Sequence, residues 1–225
     1  MSIPESAAPG TPRINRATKT IAAAMGVVFG LSGFGHGFFE MLQGHTPTGG
    51  LMINAIGDAH LFWAQGHEPA FTLIPNFLIA GITTMLVSIA AIVWSAGFLH
   101  RKRGPLVFML LFLLLLFVGG GVAQVIFFPV FWVLAARIRT PLSRKRRMVS
   151  FGRGLDRLWR PLIIASAICI LYTLQIAVFG YVPGVTDPDA VSVVMVSMLG
   201  AGYLLLILAC AAGFAHDIGK ETHNE

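Results

Sequence analysis

Lysine and arginine are missing from most of this chain. All 16 sit in four places: the N-terminal tail, Arg101-Lys102-Arg103, the stretch 137–160, and Lys220. The long apolar segments contain none, and neither do the turns Gln43–Glu68 and Pro183–Asp189. Charged residues make up only 12% of the chain against 56% hydrophobic, with a mean hydropathy of +0.76. That excludes a soluble domain, which needs more polar surface. Cysteine is scarce too. Cys169 and Cys210 lie singly in apolar runs, which excludes a disulfide framework or a CxxC site. There is no HExxH, GxSxG, P-loop, kinase motif or dinucleotide fingerprint, and Gly33-x-Gly35-x-Gly37 falls inside an apolar span. A b-type haem needs two histidines facing each other at similar depth. His36 has no such partner, since His100 and His216 end their spans. No element recurs as an inverted repeat, which argues against a typical secondary transporter.

What is present is a topology written in charge. Cytoplasmic loops are enriched in Lys and Arg, and the bias sets orientation. A net charge of +6 and a pI near 9.9 would suggest nucleic acid in a soluble protein. Here the cations flank apolar spans, so the expected partners are the lipid bilayer and its anionic inner leaflet, with no nucleic acid. Four spans are long enough to cross ~30 Å of hydrocarbon: Ile21–Leu42, Phe71–Leu99, Leu162–Val182 and Ala190–His216. The first follows Arg13, Arg16 and Lys19 and lacks a small-x-small exit, so it reads as uncleaved, with the N-terminus inside.

The apolar stretch 105–136 is too long for one crossing and short for two. A hairpin turning at Gly119-Gly120-Gly121 keeps Arg101–Arg103 and the basic stretch 137–160 on one side. Its arms are short enough to thin the bilayer or to re-enter. Within 137–160, Met148, Phe151, Leu155 and Leu158-Trp159 recur at helical spacing, as in an amphipathic helix on the inner interface. Arg144, Lys145, Arg146 and Arg147 there are the expected lipid head-group contacts.

Chemistry concentrates on the first span. At ~100° per residue, Gly26, Gly30, Gly33 and Gly37 share one arc with His36 and Glu40. Such glycines let another helix approach closely, so the titratable pair is expected against protein rather than lipid. Ionisable groups at membrane depth are functional candidates. The outer loop adds His45, Asp58, His60, His67 and Glu68. His36, Glu40, His45, His60 and His67 are ordinary ligands for a divalent metal, though their spacing matches no known site. Phe62 and Trp63 suit an interface anchor on a stretch, 51–63, lying on the outer face. Asn76 is expected to bond across the bundle, and Asn76 and Gln124 to line a pore or cavity.

The run His36-Gly37-Phe38-Phe39-Glu40-Met41-Leu42-Gln43-Gly44, with Ala55-Ile56-Gly57, Ile74-Pro75-Asn76-Phe77 and Val118-Gly119-Gly120-Gly121, resembles a bacterial multi-pass membrane family with no assigned activity. The resemblance covers roughly the first 135 residues. It implies that these segments form one unit and brings no catalytic or binding residues with it.

The expectation is one all-α transmembrane bundle in the cell membrane, four full spans plus a short helical hairpin. It comprises a cytoplasmic tail 1–20, a bundle 21–216 with outer loop 43–69, and a cytoplasmic tail 217–225. Three functions fit. One is a non-enzymatic accessory or scaffold subunit that packs against other membrane proteins. Another is a metal- or proton-dependent membrane enzyme or small-solute permease with an outward-facing His/Glu site. The third is a transporter or channel at the glycine-turn hairpin, with flux that depends on Gln124.

Overall fold

A computed structural model describes residues 14–140, 154 and 156–222. Among them are six α-helices: α1 (Arg16–Leu42), α2 (Phe77–Gly97), α3 (Gly104–Val118), α4 (Phe128–Arg137), α5 (Trp159–Phe179) and α6 (Pro188–Thr222). The chain is an all-α bundle. Four of the helices (α1, α2, α5 and α6) are long and apolar enough to cross a membrane. Three of the boundaries have a local cause. The Asn76 side chain accepts from Ile79 N at 3.2 Å and starts α2. Asp187 accepts from Ala190 N at 3.1 Å ahead of Pro188, the first residue of α6. Gly180, at φ +61°, ends α5 in the left-handed conformation that glycine adopts freely.

Residues 105–136 form a helical hairpin. α3 and α4 fold back on each other about the glycine triplet, so Phe131 packs on Phe108 (5.9 Å) and Phe112 (5.4 Å). A 3₁₀ segment, Ala123–Phe127, leads from the turn into α4. With 15 residues, α3 is ~22 Å long, and the 10 residues of α4 make ~15 Å. Neither spans ~30 Å of hydrocarbon alone.

One end of the bundle is tied by capping across the chain. Asn15 donates from its backbone to Ile138 O (2.9 Å) and from its side chain to Arg137 O and Thr140 O. Asp217 accepts from Ala17 N (3.1 Å), Thr18 N (2.9 Å) and Thr18 Oγ1 (2.9 Å). Arg139 donates to His100 O at 3.1 Å. The start of α1, the α2–α3 turn with Arg101–Arg103, the end of α4 and the end of α6 therefore share one face. Arg144, Lys145, Arg146, Arg147 and the proposed amphipathic residues Met148, Phe151 and Leu155 lie outside the described residues.

At the opposite end the structure departs from the expected boundaries. Helix α2 starts at Phe77 rather than Phe71. Residues before it pair as a two-stranded antiparallel sheet, β1 (Met52–Asn54) with β2 (Pro69–Phe71), in the register Ile53↔Ala70. The pairing satisfies backbone groups that a helix start would have left free. It also folds part of 51–63 onto the protein. The Trp63 indole donates to Ala177 O (2.9 Å), and its ring covers Gly180.

Helix α1 is the centre. Half of its most apolar window is buried, against 28% for α2 and α5 and 22% for α6. The outer helices turn large apolar side chains outward, among them Leu86, Ile168 and Val193. On a water-soluble protein such contiguous apolar surface would be anomalous; in lipid it is the ordinary exterior.

Candidate functional site

Helix α1 delivers its glycines to its neighbours. A side chain at Gly37 would press on the α2 backbone, 2.7 Å from Gly81 O, and one at Gly33 on Leu115 and Ser88 (2.8 Å each). Gly26 and Gly30 face Ser95 and Ile92 of α2 in the same way. The close approach draws the neighbouring turns of α1, which carry His36 and Glu40, into the bundle.

Glu40 is fully buried between α1, α2 and the hairpin tip. Thr84 Oγ1 of α2 lies 3.4 Å from Glu40 Oε2 and donates to Val118 O at 2.7 Å. Glu40 Oε1 has no hydrogen-bond partner among the described residues. The carboxylate rests on Gly119, where a Cβ would lie 2.7 Å from its Cδ. One turn away, the His36 ring rests on Gly121, where a Cβ would fall 2.7 Å from Cε1. Both glycines have positive φ, +128° and +92°. The triplet is thus a turn and also a flat backbone platform for two titratable side chains.

The third titratable group arrives from the loop. β2 is tied to the hairpin tip through Leu73 N→Phe117 O (2.9 Å), Thr72 Oγ1→Val118 O (3.2 Å) and Val122 N→Pro69 O (3.2 Å). Those bonds carry Glu68 down to His36, with Oε2 3.5 Å from Nε2. The His36 side chain is 10% exposed and that of Glu68 20%. Burial raises the Glu68 carboxyl above its ordinary pKa. His36 Nδ1 and Gln124 Oε1 have no partner among the described residues. Gln124 itself is buried, its amide donating back to Gly120 O.

Two cavities meet at the His36–Glu68 pair. The first, of about 260 Å³, lies between α1 and α5 and is walled by Leu31, Phe39, Leu171 and Leu174. The second, of about 220 Å³, lies between the hairpin tip, α5 and α6 and is lined by Gly121, Gln124, Thr173 and Leu199.

His45, His60 and Asn76 lie apart from this centre, whereas His67 shares the second cavity with His36 and Glu68. His45 is exposed, and His60 sits in a short 3₁₀ turn, Asp58–His60. His67 Nδ1 is 3.9 Å from Asp58 and lines the second cavity. Among the described residues no three His, Cys, Asp or Glu side chains converge to hold a metal ion. Asn76 bonds its own helix rather than across the bundle. Thr84 is a site residue that sequence reasoning passed over. Its signal is the small and polar stripe Gly81, Thr84, Ser88 and Ser95, buried on the α2 face that receives the glycines of α1.

Comparison with family models, curated proteins and solved structures finds no match.

Proposed function

We propose that this membrane protein works through a proton-exchanging site, in which His36, Glu68 and Glu40 pass a proton to and from a small bound molecule. The observation that carries this reading is a largely buried imidazole and carboxyl, 3.5 Å apart, at the junction of two cavities. Unpaired buried polar atoms cost about 1–3 kcal/mol each, and here Glu40 Oε1, His36 Nδ1 and Gln124 Oε1 sit around one glycine turn. Such groups at membrane depth mark function more often than packing. Thr84 has a single hydroxyl proton, and the shorter contact to Val118 O takes it. A proton on Glu40 then completes the 3.4 Å contact with Thr84.

Two alternatives have less support. An accessory subunit would dock partners on the glycine face of α1, but that face is occupied by α2 and α3 of this chain. A through-passage would run below the site, where Phe29, Phe108, Phe112, Phe127 and Phe131 are packed ring against ring. The reading is therefore a binding or catalytic site open at the loop end. We place the capped end, with its Arg and Lys residues, on the cytoplasmic side against anionic lipid.

Infrared pH titration of the protein in lipid nanodiscs tests the proposal without a known ligand. The expected result is a carboxylic-acid band that persists where exposed carboxylates are ionised. One component of it should be lost in Glu68→Gln and another, from Glu40, in Glu40→Gln, and both should be retained in Asp58→Asn. Full ionisation of every carboxylate in that range would remove the proposal.

A further inference from the structure

The cavity between α1 and α5 opens sideways rather than toward the loops alone. Its rim residues Leu31, Leu171 and Phe179 are 50%, 42% and 48% exposed, on helices that face lipid. The walls are mostly apolar, with Ser32 and Gln175 among them, and His36 and Glu68 supply the titratable part of the lining. His36 is nine-tenths buried and its Nδ1 is unpartnered among the described residues. A site so built offers a paired donor and acceptor at His36 and Glu68 and mostly hydrocarbon contact along the rest.

We infer that this crevice takes a single-chain lipophile with a neutral hydroxyl head, entering from the bilayer between α1 and α5 and hydrogen-bonding to His36 and Glu68. The inference rests on the proton-exchanging reading of that pair and names its ligand class. Three features select the ligand. Among the described residues no Lys or Arg lines either cavity, so a phosphate or carboxylate head would meet the Glu68 carboxyl with no counter-charge. An imidazole beside a carboxyl presents donor and acceptor together, which a hydroxyl answers with one of each. A volume of about 260 Å³ is at the small end for ligand pockets, which run roughly 300–1,000 Å³, and suits one slender chain.

The test uses the full chain in phosphatidylcholine nanodiscs and a diazirine-bearing dodecanol as the photoprobe. Labelling is expected on the α1 and α5 peptides that carry Leu31, Leu171 and Leu174, and dodecanol is expected to compete it away. His36→Ala should weaken labelling about tenfold, the scale of one strong hydrogen bond lost. Leu171→Trp, at the lipid-facing rim, should block entry without touching the core. Leu86→Trp, on the outer face of α2, serves as the control and should label as the parent does. Uncompeted labelling spread over all lipid-facing helices overturns the inference. So does better competition by dodecylamine than by dodecanol, which would indicate a cationic head. If the Glu68 acid band is present while crevice labelling fails, lateral entry alone falls. If the band is absent, the underlying reading falls with it.

Discussion

Glu68 and His36 come from segments with no local reason to meet, and their contact changes what each can do. A carboxyl kept from water holds its proton to higher pH than it would in the unfolded chain. Glu68 is held above 4.5 by burial, so the folded protein binds more protons than the unfolded one over the window from 4.5 up to the raised value. Stability is then expected to be greatest below that window and to fall as pH rises through it. Thermal melts of the wild type and Glu68→Gln should diverge in that direction, with the variant losing this slope. At the turn, Gly119→Ala is expected to destabilise by about 2 kcal/mol or more. A positive φ costs about 1–2 kcal/mol for an L side chain, and the new methyl would strike Glu40. Gly97, with open space around it, is the matched position where alanine should cost nothing measurable. The sequence marks His36, Glu40 and Gln124 as unusual because polar groups stand out against apolar runs. Thr84 does not stand out in this way, since a threonine in a span commonly bonds its own helix.

Among the elements, α1 begins without an acidic residue in its first turn and without a side-chain bond from Asn15 to its own helix. Its orphan N–H groups are met instead by Asp217, at the far end of α6. Losing such a cap costs about 0.5–2 kcal/mol. Asp217→Ala should lower the melting temperature accordingly, and Asp217→Asn, which keeps an accepting oxygen, should lower it less. No sequence rule finds this bond, because capping rules look a few residues away and this partner is some 200 positions distant. The hairpin was legible for the opposite reason. Three adjacent glycines and an apolar stretch of awkward length are local signals, and charge placement chose between one crossing and a return. The strands β1 and β2 were hidden, since three-residue strands in an apolar loop lack the length that shows a period.

Across the whole molecule, the grouping of described cations at the capped end carries the topology. The α2–α3 turn with Arg101–Arg103, the end of α4 with Arg137 and Arg139, and the start of α1 are joined there by direct hydrogen bonds. Cysteines introduced at Lys102 and at Gly50 are therefore expected on opposite sides of the membrane. In intact cells an impermeant reagent should label only the Gly50 variant from outside. Bundle class and span count follow from composition and run length, which report on lipid directly. The site does not, because it is assembled where a loop, a hairpin tip and two helices converge, and only packing decides that. The central claim is that convergence, and solid-state NMR on lipid-reconstituted protein, selectively labelled at His36 and Glu68, measures it most directly. Strong dipolar coupling between the imidazole and the carboxyl, matching the 3.5 Å Nε2–Oε2 approach, with a carboxylic-acid shift for Glu68, is the expected result. An uncoupled pair with an ionised, water-exposed Glu68 would contradict it.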